Sequence, residues 1–142
     1  MKIGVINQVD DIEKRVLLIP ADVAKLIKQG HSVYIESTSG SGAFFPDKMY
    51  TDVGASIVNG SDIFTEPDII LSLNSNTTNI LDKITKGKTL ITNIPLSLND
   101  ELATRASKEH ITLINLGTIP RIARAQSMDI LSSQSSLAGY KA

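Results

Sequence analysis

Short apolar runs alternate with stretches of helical period along the chain, and this alternation limits the possible folds more than any other feature. The apolar runs are rich in Ile, Val and Leu, as strands buried on both faces of a sheet are. The predicted strands are residues 2–6, 31–37, 68–73, 88–94 and 110–116. Strands that alternate with helices form βαβ units. The sequence therefore predicts an open, doubly wound α/β fold, Rossmann- or flavodoxin-like, with a mostly parallel sheet.

The predicted helices begin and end at residues typical of helix ends. Pro20 suits the first turn of a helix, and Gly30 suits the left-handed residue that stops one. No internal repeat or low-complexity linker interrupts the pattern, so residues 1–142 are predicted to form a single domain. The predicted helices are residues 20–30, 46–54, 78–84 and 97–109.

Composition excludes several classes of function. With 14 basic and 15 acidic side chains the net charge is -1, which favours neither nucleic acid nor an acidic membrane surface as a partner. The absence of cysteine excludes thiolate chemistry, and the two histidines have no metal-ligand spacing, so no metal site is predicted. No signal peptide or run of about 20 apolar residues occurs. The chain is predicted to be cytoplasmic, without direct insertion into a membrane.

The glycine-rich stretch "SGSGAF" (39–44) is a candidate phosphate loop, because backbone amides in such loops bind phosphates. However, Phe45 stands where a third glycine would belong, and the loop follows the second predicted strand. A glycine-rich surface turn is the favoured interpretation. His31 and His110 each start a strand, where a turn or packing role is favoured, and Arg15 is a candidate to pair with a carboxylate.

The polar tail "TIPRIARAQSMDILSSQSSLAGYKA" (118–142) follows the last predicted strand. Ligands of open α/β sheets bind beyond the carboxyl ends of the strands, which is where this tail begins. From Ala125 onward the spacing predicts a helix, with Gln126, Asp129 and Ser133 near one face. Guanidinium, amide and carboxylate groups there could bind the carboxamide and ribose of a nicotinamide nucleotide. A capped helix with a solvated polar face is the alternative, which the residues alone favour.

The motif "RIARAQSMD" (121–129) closely resembles the NAD(H)-binding component of proton-translocating NAD(P) transhydrogenases. The resemblance covers the whole chain. The stretch "RVLLIPADVAKLIKQGHSVYIESTSGSGAFFPDKMYTDVGASIV" (15–58) resembles the N-terminal region that these proteins share with alanine dehydrogenases. The resemblance therefore implies the N-terminal part of a transhydrogenase alpha subunit.

The resemblance also implies residue roles. Arg121, Gln126, Asp129 and Ser132 would bind NAD(H), and Gln126 and Asp129 would be the catalytic residues. They would orient the dihydronicotinamide for hydride transfer to NADP(+) held on a partner component, without acid or base catalysis. Transfer would be coupled to proton passage through a membrane subunit. The chain would lie in the cytoplasm at the periphery of the inner membrane, as a homodimer.

Three departures from the family pattern leave alternatives open. Asn7-Gln8 replaces a usual Lys-Glu pair, and the lysine and histidine of alanine dehydrogenases are missing after the third and fourth predicted strands. The resemblance also implies a glycine-rich NAD-binding domain after residue 142, which residues 1–142 do not contain. One hypothesis is a split or truncated transhydrogenase component that needs a cofactor domain in trans. The other is a non-catalytic interaction module, or a regulator of a full-length paralogue. The third and least favoured hypothesis is an alanine dehydrogenase.

Overall fold

One parallel sheet organises the chain. The computed structural model describes residues 1–8, 10–73, 80–94, 99–120 and 122–141. Within these residues the sheet has six strands, and every hydrogen-bonded pair of them is parallel. In chain order the strands are β1 (Lys2–Val5), β2 (Ser32–Glu36), β3 (Ser56–Val58), β4 (Ile69–Leu71), β5 (Thr89–Thr92) and β6 (Thr112–Asn115).

The order of the strands across the sheet is β3-β2-β1-β4-β5-β6. The chain therefore moves outward from β1 to β3, crosses back over the sheet, and moves outward again on the other side of β1. This confirms the predicted doubly wound α/β fold. The point where the direction reverses lies between β1 and β4, and crevices of this kind are where such sheets bind ligands.

Helices lie between and after the strands. Pro20 opens the first helix and Gly30 follows its end with a φ of 87°, as the sequence predicts. Among the described residues of the predicted helix at 78–84, Ile80 and Leu81 are helical. No helix of the described residues is long and apolar enough to cross a membrane. The helices are α1 (Pro20–Lys28), α2 (Asp47–Asp52), α3 (Asp62–Thr65), α4 (Asn99–Lys108) and α5 (Ile130–Lys141), with short 3-10 helices at Ser41–Ala43, Leu116–Thr118 and Ala123–Met128.

The sequence did not predict β3 or α3. β3 has three residues and α3 has four, so neither is long enough to show the periodicity on which the prediction depends. β3 forms because Tyr34, Ile35 and Glu36 of β2 pair with it. Pairing with a strand already in the sheet is a tertiary effect that a local pattern does not show.

Two apolar cores lie on the two faces of the sheet. Successive strand residues point to opposite faces, so Tyr34 packs against one core and Ile35 belongs to the other. One core contains Val5, Val23 of α1 and Tyr50 of α2. The other is larger and includes the buried residues Ile63, Phe64, Ile70, Ile80, Leu81, Ile84, Leu90, Ile94, Leu102, Ala106 and Ile111.

On the face of the sheet that carries α1 and α2, the outer strands are not fully covered. Val5, Leu71, Ile91 and Ile114 are paired in register across β1, β4, β5 and β6, so they form one row on that face. Val5 is fully buried, whereas Leu71 and Ile91 are partly exposed and Ile114 is 44% exposed. The outer end of the row is an apolar surface that the described residues leave open to solvent.

Candidate functional site

Polar side chains join the carboxyl ends of the strands. The backbone N–H of Asn7, just after β1, donates to Glu36 Oε2 at 2.6 Å. Asn7 Nδ2 donates to the carbonyl of Ser37 at 3.0 Å and to Thr38 Oγ1 at 2.8 Å. Asn7 belongs to the Asn7-Gln8 pair that departs from the family pattern. Its hydrogen bonds connect the end of β1 to the end of β2.

Gln8 makes the corresponding connection to β4. Its Oε1 accepts a hydrogen bond from Ser72 Oγ at 3.2 Å and another from the backbone N–H of Leu73. Gln8 therefore bridges β1 and β4 where the direction of the sheet reverses. A side chain of the protein itself occupies part of the crevice that a nucleotide uses in other doubly wound sheets.

Burial perturbs the acid at this edge. Glu36 is partly buried at the end of β2, and burial raises the pKa of its carboxyl above the ordinary 4.5, although the Asn7 N–H and the charge of Lys83 oppose the shift. The folded state therefore binds the Glu36 proton more tightly than the unfolded state does. The contribution of Glu36 to stability is present below pH 4.5 and is lost as the pH rises through the raised pKa.

Glu36→Gln should consequently stabilise the domain relative to wild type more at pH 7 than at pH 4, because the amide keeps an acceptor oxygen for Asn7 but carries no buried charge. Urea unfolding followed by circular dichroism at both pH values measures the difference. Glu101→Gln, at an exposed glutamate of α4, controls for the change in net charge. An equal effect of Glu36→Gln at pH 4 and pH 7 would contradict the prediction.

The glycine-rich loop is a packed turn. The amides of Ser39, Ser41, Ala43 and Phe45 donate to carbonyls between Glu36 and Gly40, so these N–H groups already have partners inside the loop. The favoured turn interpretation is therefore confirmed. The expectation that the turn lies on the surface is wrong at Ser39 and Gly40, which are buried.

The side chain of Tyr50 packs against this loop. Its ring is fully buried and its hydroxyl donates to the carbonyl of Leu18 at 3.0 Å. Burial, together with the charge of Asp47, raises the pKa of Tyr50 to about 12.

The Asp47 carboxylate accepts from Ser37 Oγ at 2.7 Å and from the Thr38 N–H at 2.8 Å. A carboxylate at this position further disfavours a phosphate.

In the tail, Asp129 immediately precedes α5 and caps its first turn. Its Oδ1 accepts from the backbone N–H of Leu131 at 3.0 Å, and its Oδ2 accepts from Ser132 Oγ at 2.6 Å. The carbonyl of Asp129 also accepts from the Ser133 N–H at 3.2 Å. These contacts have the form of a helix N-cap, in which a carboxylate satisfies amides of the first turn. The carboxylate of Asp129 is thus held in one orientation, with Ser132 beside it.

The prediction of one helix from Ala125 onward is wrong. A 3-10 helix over Ala123–Met128 ends at Asp129, whose backbone is extended, and α5 starts at Ile130. The physical reason is the cap, because the Asp129 carboxylate competes for the amides that a continuous helix would use. Gln126 and Asp129 still lie close together, since the Asp129 N–H donates to the Gln126 carbonyl at 3.3 Å.

The structure brings together three of the four predicted site residues. Gln126 and Ser132 are exposed and Asp129 is partly exposed, so all three can be reached from solvent. Arg121, the fourth, lies outside the described residues. So do residues 74–79 and 95–98, which include parts of "LSLNSN" and "TNIPLS", the stretches that lack the lysine and histidine expected of an alanine dehydrogenase.

Two further ionisable candidates, Arg15 and His110, make structural contacts. Arg15 pairs with Glu13 at 2.5 Å, which confirms a carboxylate partner. His110 lies in a turn with a φ of 54°, and its N–H donates to the Ser107 carbonyl, as the turn interpretation predicts. Among the described residues, no three His, Asp or Glu side chains are grouped so as to hold a metal ion.

Asn115 is the residue at this edge that the sequence reading overlooked. It is buried at the carboxyl end of β6, and its side chain hydrogen-bonds to the backbone of Ile94, just beyond β5. The signal available in the sequence was an Asn at the end of an apolar strand, two residues before a glycine, a spacing typical of a side chain that caps a turn.

Comparison with known proteins gives the same architecture. The family model described as "Alanine dehydrogenase/PNT, N-terminal domain" matches residues 4–138. The NAD(P) transhydrogenase subunit alpha of Haemophilus influenzae is 32% identical over 142 residues, which cover 100% of this chain and 28% of that protein. The sequence similarity therefore extends over the whole chain, including the tail.

Solved structures show the same likeness. The transhydrogenase from Sinorhizobium meliloti superimposes with a TM-score of 0.89 at 31% identity, covering 100% of this chain and 42% of that one. An L-alanine dehydrogenase gives a TM-score of 0.76 at 29% identity, covering 87% of this chain and 34% of that one. The chain thus spans less than half the length of these relatives. By the match over residues 4–138, it belongs to the alanine dehydrogenase/PNT N-terminal domain family.

Proposed function

We propose that this chain is the N-terminal part of the NAD(H)-binding component of a proton-translocating NAD(P) transhydrogenase, and that it positions the nicotinamide for hydride transfer from NADH to NADP(+). The observation that carries the proposal is the group formed by Gln126, Asp129 and Ser132 at the start of α5. This group lies in the motif whose residues resemble those of transhydrogenases, in a chain 32% identical to a transhydrogenase alpha subunit.

The chemistry of the group fits a nicotinamide carboxamide. A carboxamide has an N–H₂ donor and a carbonyl acceptor, so it needs both kinds of partner. The Gln126 amide both donates and accepts, the Asp129 carboxylate accepts, and Ser132 carries a hydroxyl. Arg121 would add a guanidinium donor. The nicotinamide supplies the hydride when it is bound, and the residues of the chain supply its orientation.

Catalysis by this group would consist of positioning. Hydride transfer needs the two reacting carbons about 3–3.5 Å apart, and proper alignment alone accounts for a large part of the rate. The Asp129 carboxylate suits this role because its bonds to the Leu131 N–H and Ser132 Oγ hold it in place before any ligand arrives. Prior ordering removes an entropy cost from binding.

The phosphates and adenosine of NAD(H) would be bound by a second, glycine-rich cofactor domain. Two findings favour this division. The amides of Ser39, Ser41, Ala43 and Phe45 already donate inside the loop, and Gln8 bridges the crevice between β1 and β4. Residues 1–142 would thus be one wall of the nucleotide cleft, and the chain alone would bind NADH weakly or not at all.

The proposed partners follow from the same assignment. They are the cofactor-binding domain, the membrane subunit that binds NADP(H), and a second copy of the chain in a homodimer. Exposed apolar side chains favour protein partners, namely Ile114 at the outer edge of the sheet and Leu131, Leu137 and Tyr140 of α5. We propose a location in the cytoplasm at the periphery of the inner membrane.

A second candidate is a non-catalytic interaction module that regulates a full-length paralogue. The observation in its favour is α5, in which every described residue after Ile130 is exposed. Such a helix gains stability by packing against another protein. This candidate shares the docking surfaces of the first but requires no nucleotide.

Isothermal calorimetry with NADH tests the proposal. The chain is titrated alone and then in a reconstituted complex with the rest of the Haemophilus influenzae transhydrogenase, expressed without the segment that this chain matches. We expect binding only in the complex, because the two walls of the cleft lie on different polypeptides. The control is that remainder without this chain. No binding in the complex beyond this control would overturn the transhydrogenase assignment in favour of the interaction module.

A further inference from the structure

The side chain of Asn115 links the ends of two strands. The backbone N–H of Ile94 donates to Asn115 Oδ1 at 3.1 Å, and Asn115 Nδ2 donates back to the Ile94 carbonyl at 3.4 Å. Asn115 is 8% exposed, so these contacts lie in the protein interior. A buried amide held on both its oxygen and its nitrogen has little freedom to rotate.

The same Asn115 oxygen starts the turn that leaves the sheet. Oδ1 accepts from the Gly117 N–H at 2.9 Å, which begins the 3-10 helix Leu116–Thr118. Thr118 Oγ1 donates to the Asn115 carbonyl at 2.7 Å. A Cβ added at Gly117 would lie 2.5 Å from the Ile94 carbonyl oxygen, so the turn also packs directly on the chain after β5.

Short hydrogen-bonded turns occur among the described residues between this point and the candidate site. The Ile119 N–H donates to the Leu116 carbonyl at 3.2 Å, and the Ala125 N–H donates to the Ile122 carbonyl at 2.9 Å. Ala125 is 5% exposed and is the one buried residue among the described positions of 119–141. Gln126 and Asp129 therefore follow a turn that Asn115 anchors, and they lie next to the buried Ala125.

We propose that Asn115 is a positioning residue, which sets the direction in which the 119–129 segment leaves the sheet and thereby the placement of Gln126 and Asp129. This inference rests on the proposed function for its effect on hydride transfer, but its structural part does not. Asn115 touches no reacting atom in this scheme. It acts through the Gly117 N–H and the turn that follows.

The variants are chosen to separate positioning from stability. Asn115→Ala removes the acceptor for both N–H groups, whereas Asn115→Asp keeps a side-chain oxygen for them and loses only the donor to the Ile94 carbonyl. Gly117→Ala leaves Asn115 intact but moves the turn away from the Ile94 carbonyl, and it serves if Asn115→Ala does not fold. Ile111→Val is the control, because it removes one methylene group from a buried side chain. Ile111 directly precedes β6, at the end opposite to Asn115.

Two readouts apply. In the chain alone, ¹H–¹⁵N NMR should show the amide signals of residues 119–129 shifted in Asn115→Ala and Gly117→Ala, shifted less in Asn115→Asp, and near their wild-type positions in Ile111→Val. In the reconstituted complex, hydride transfer should fall about 10- to 100-fold in the first two variants. NADH affinity should change by less than about threefold, since an orienting interaction affects the rate more than binding.

The outcomes are separable. If the 119–129 signals of Asn115→Ala and Gly117→Ala stay at their wild-type positions, or if Ile111→Val shifts them equally, the positioning role is wrong. If the signals shift as expected but the wild-type complex itself transfers no hydride, the proposed function fails and the structural role of Asn115 stands. If wild type transfers hydride and Asn115→Ala does so at the same rate, the inference fails and the function stands.

Discussion

Asp129→Asn and Gln126→Asn should each lower the rate of hydride transfer in the reconstituted complex by about 10- to 100-fold, while NADH affinity changes little. The reason is that these side chains orient the nicotinamide and contribute little to holding the rest of the nucleotide. Asn is as good a helix N-cap as Asp, so Asp129→Asn should preserve the bond to the Leu131 N–H. The change then removes mainly the charge.

Deuterated NADH gives the measurement, because the deuterium that appears in NADPH reports the transfer step directly. Gln134→Asn is the matched control, since it makes the same chemical change at an exposed glutamine of α5, farther along the tail. We expect wild-type transfer from this control. Wild-type rates from both Asp129→Asn and Gln126→Asn would refute the site assignment.

Gly40→Ala should destabilise the domain by about 1–3 kcal/mol, the usual range for overpacking a filled interior. A Cβ at this position would lie 2.4 Å from the Phe45 carbonyl oxygen and 2.7 Å from the Tyr50 ring. The first neighbour is backbone, and the second is fully buried and tied by its hydroxyl to Leu18. Neither can move aside without disturbing the core beneath α2.

The free energy of unfolding in urea, followed by circular dichroism, measures this effect. Gly139→Ala is the matched control, because a Cβ there would have no neighbour within 4 Å and alanine favours a helix over glycine by up to about 1 kcal/mol. The control should be neutral or stabilising. A Gly40→Ala domain as stable as wild type would show that the loop has more room than the structure indicates.

Local patterns predict much of this fold because the strands are buried on both faces. Apolar runs such as "KIGVI" can be satisfied only inside a sheet, and the helical stretches between them require parallel crossovers. Helix ends are local as well, which is why Pro20 and Gly30 were identified correctly. The short strand β3 was not predicted, because its formation depends on pairing with β2 and three residues are too few to show a periodic apolar pattern.

The candidate site divides in the same way. Its location beyond the last strand, and the identity of Gln126, Asp129 and Ser132, could be read from the sequence by resemblance. The break at Asp129 could not, because helical spacing continues across it and the cap that interrupts the helix is a side-chain contact. Periodicity describes which positions share a face, and it contains no information about which amides a carboxylate will bind.

By itself, the sequence determined the class of fold, the end of the sheet at which the candidate site lies, and the family of the chain. Only the tertiary structure decided the roles of Gln8 and Asn115, whose partners Leu73 and Ile94 are 65 and 21 residues away along the chain. The physical reason is the range of the interactions. Burial and helix periodicity are recorded in neighbouring residues, whereas hydrogen bonds between strand ends exist only after the sheet has brought distant segments together.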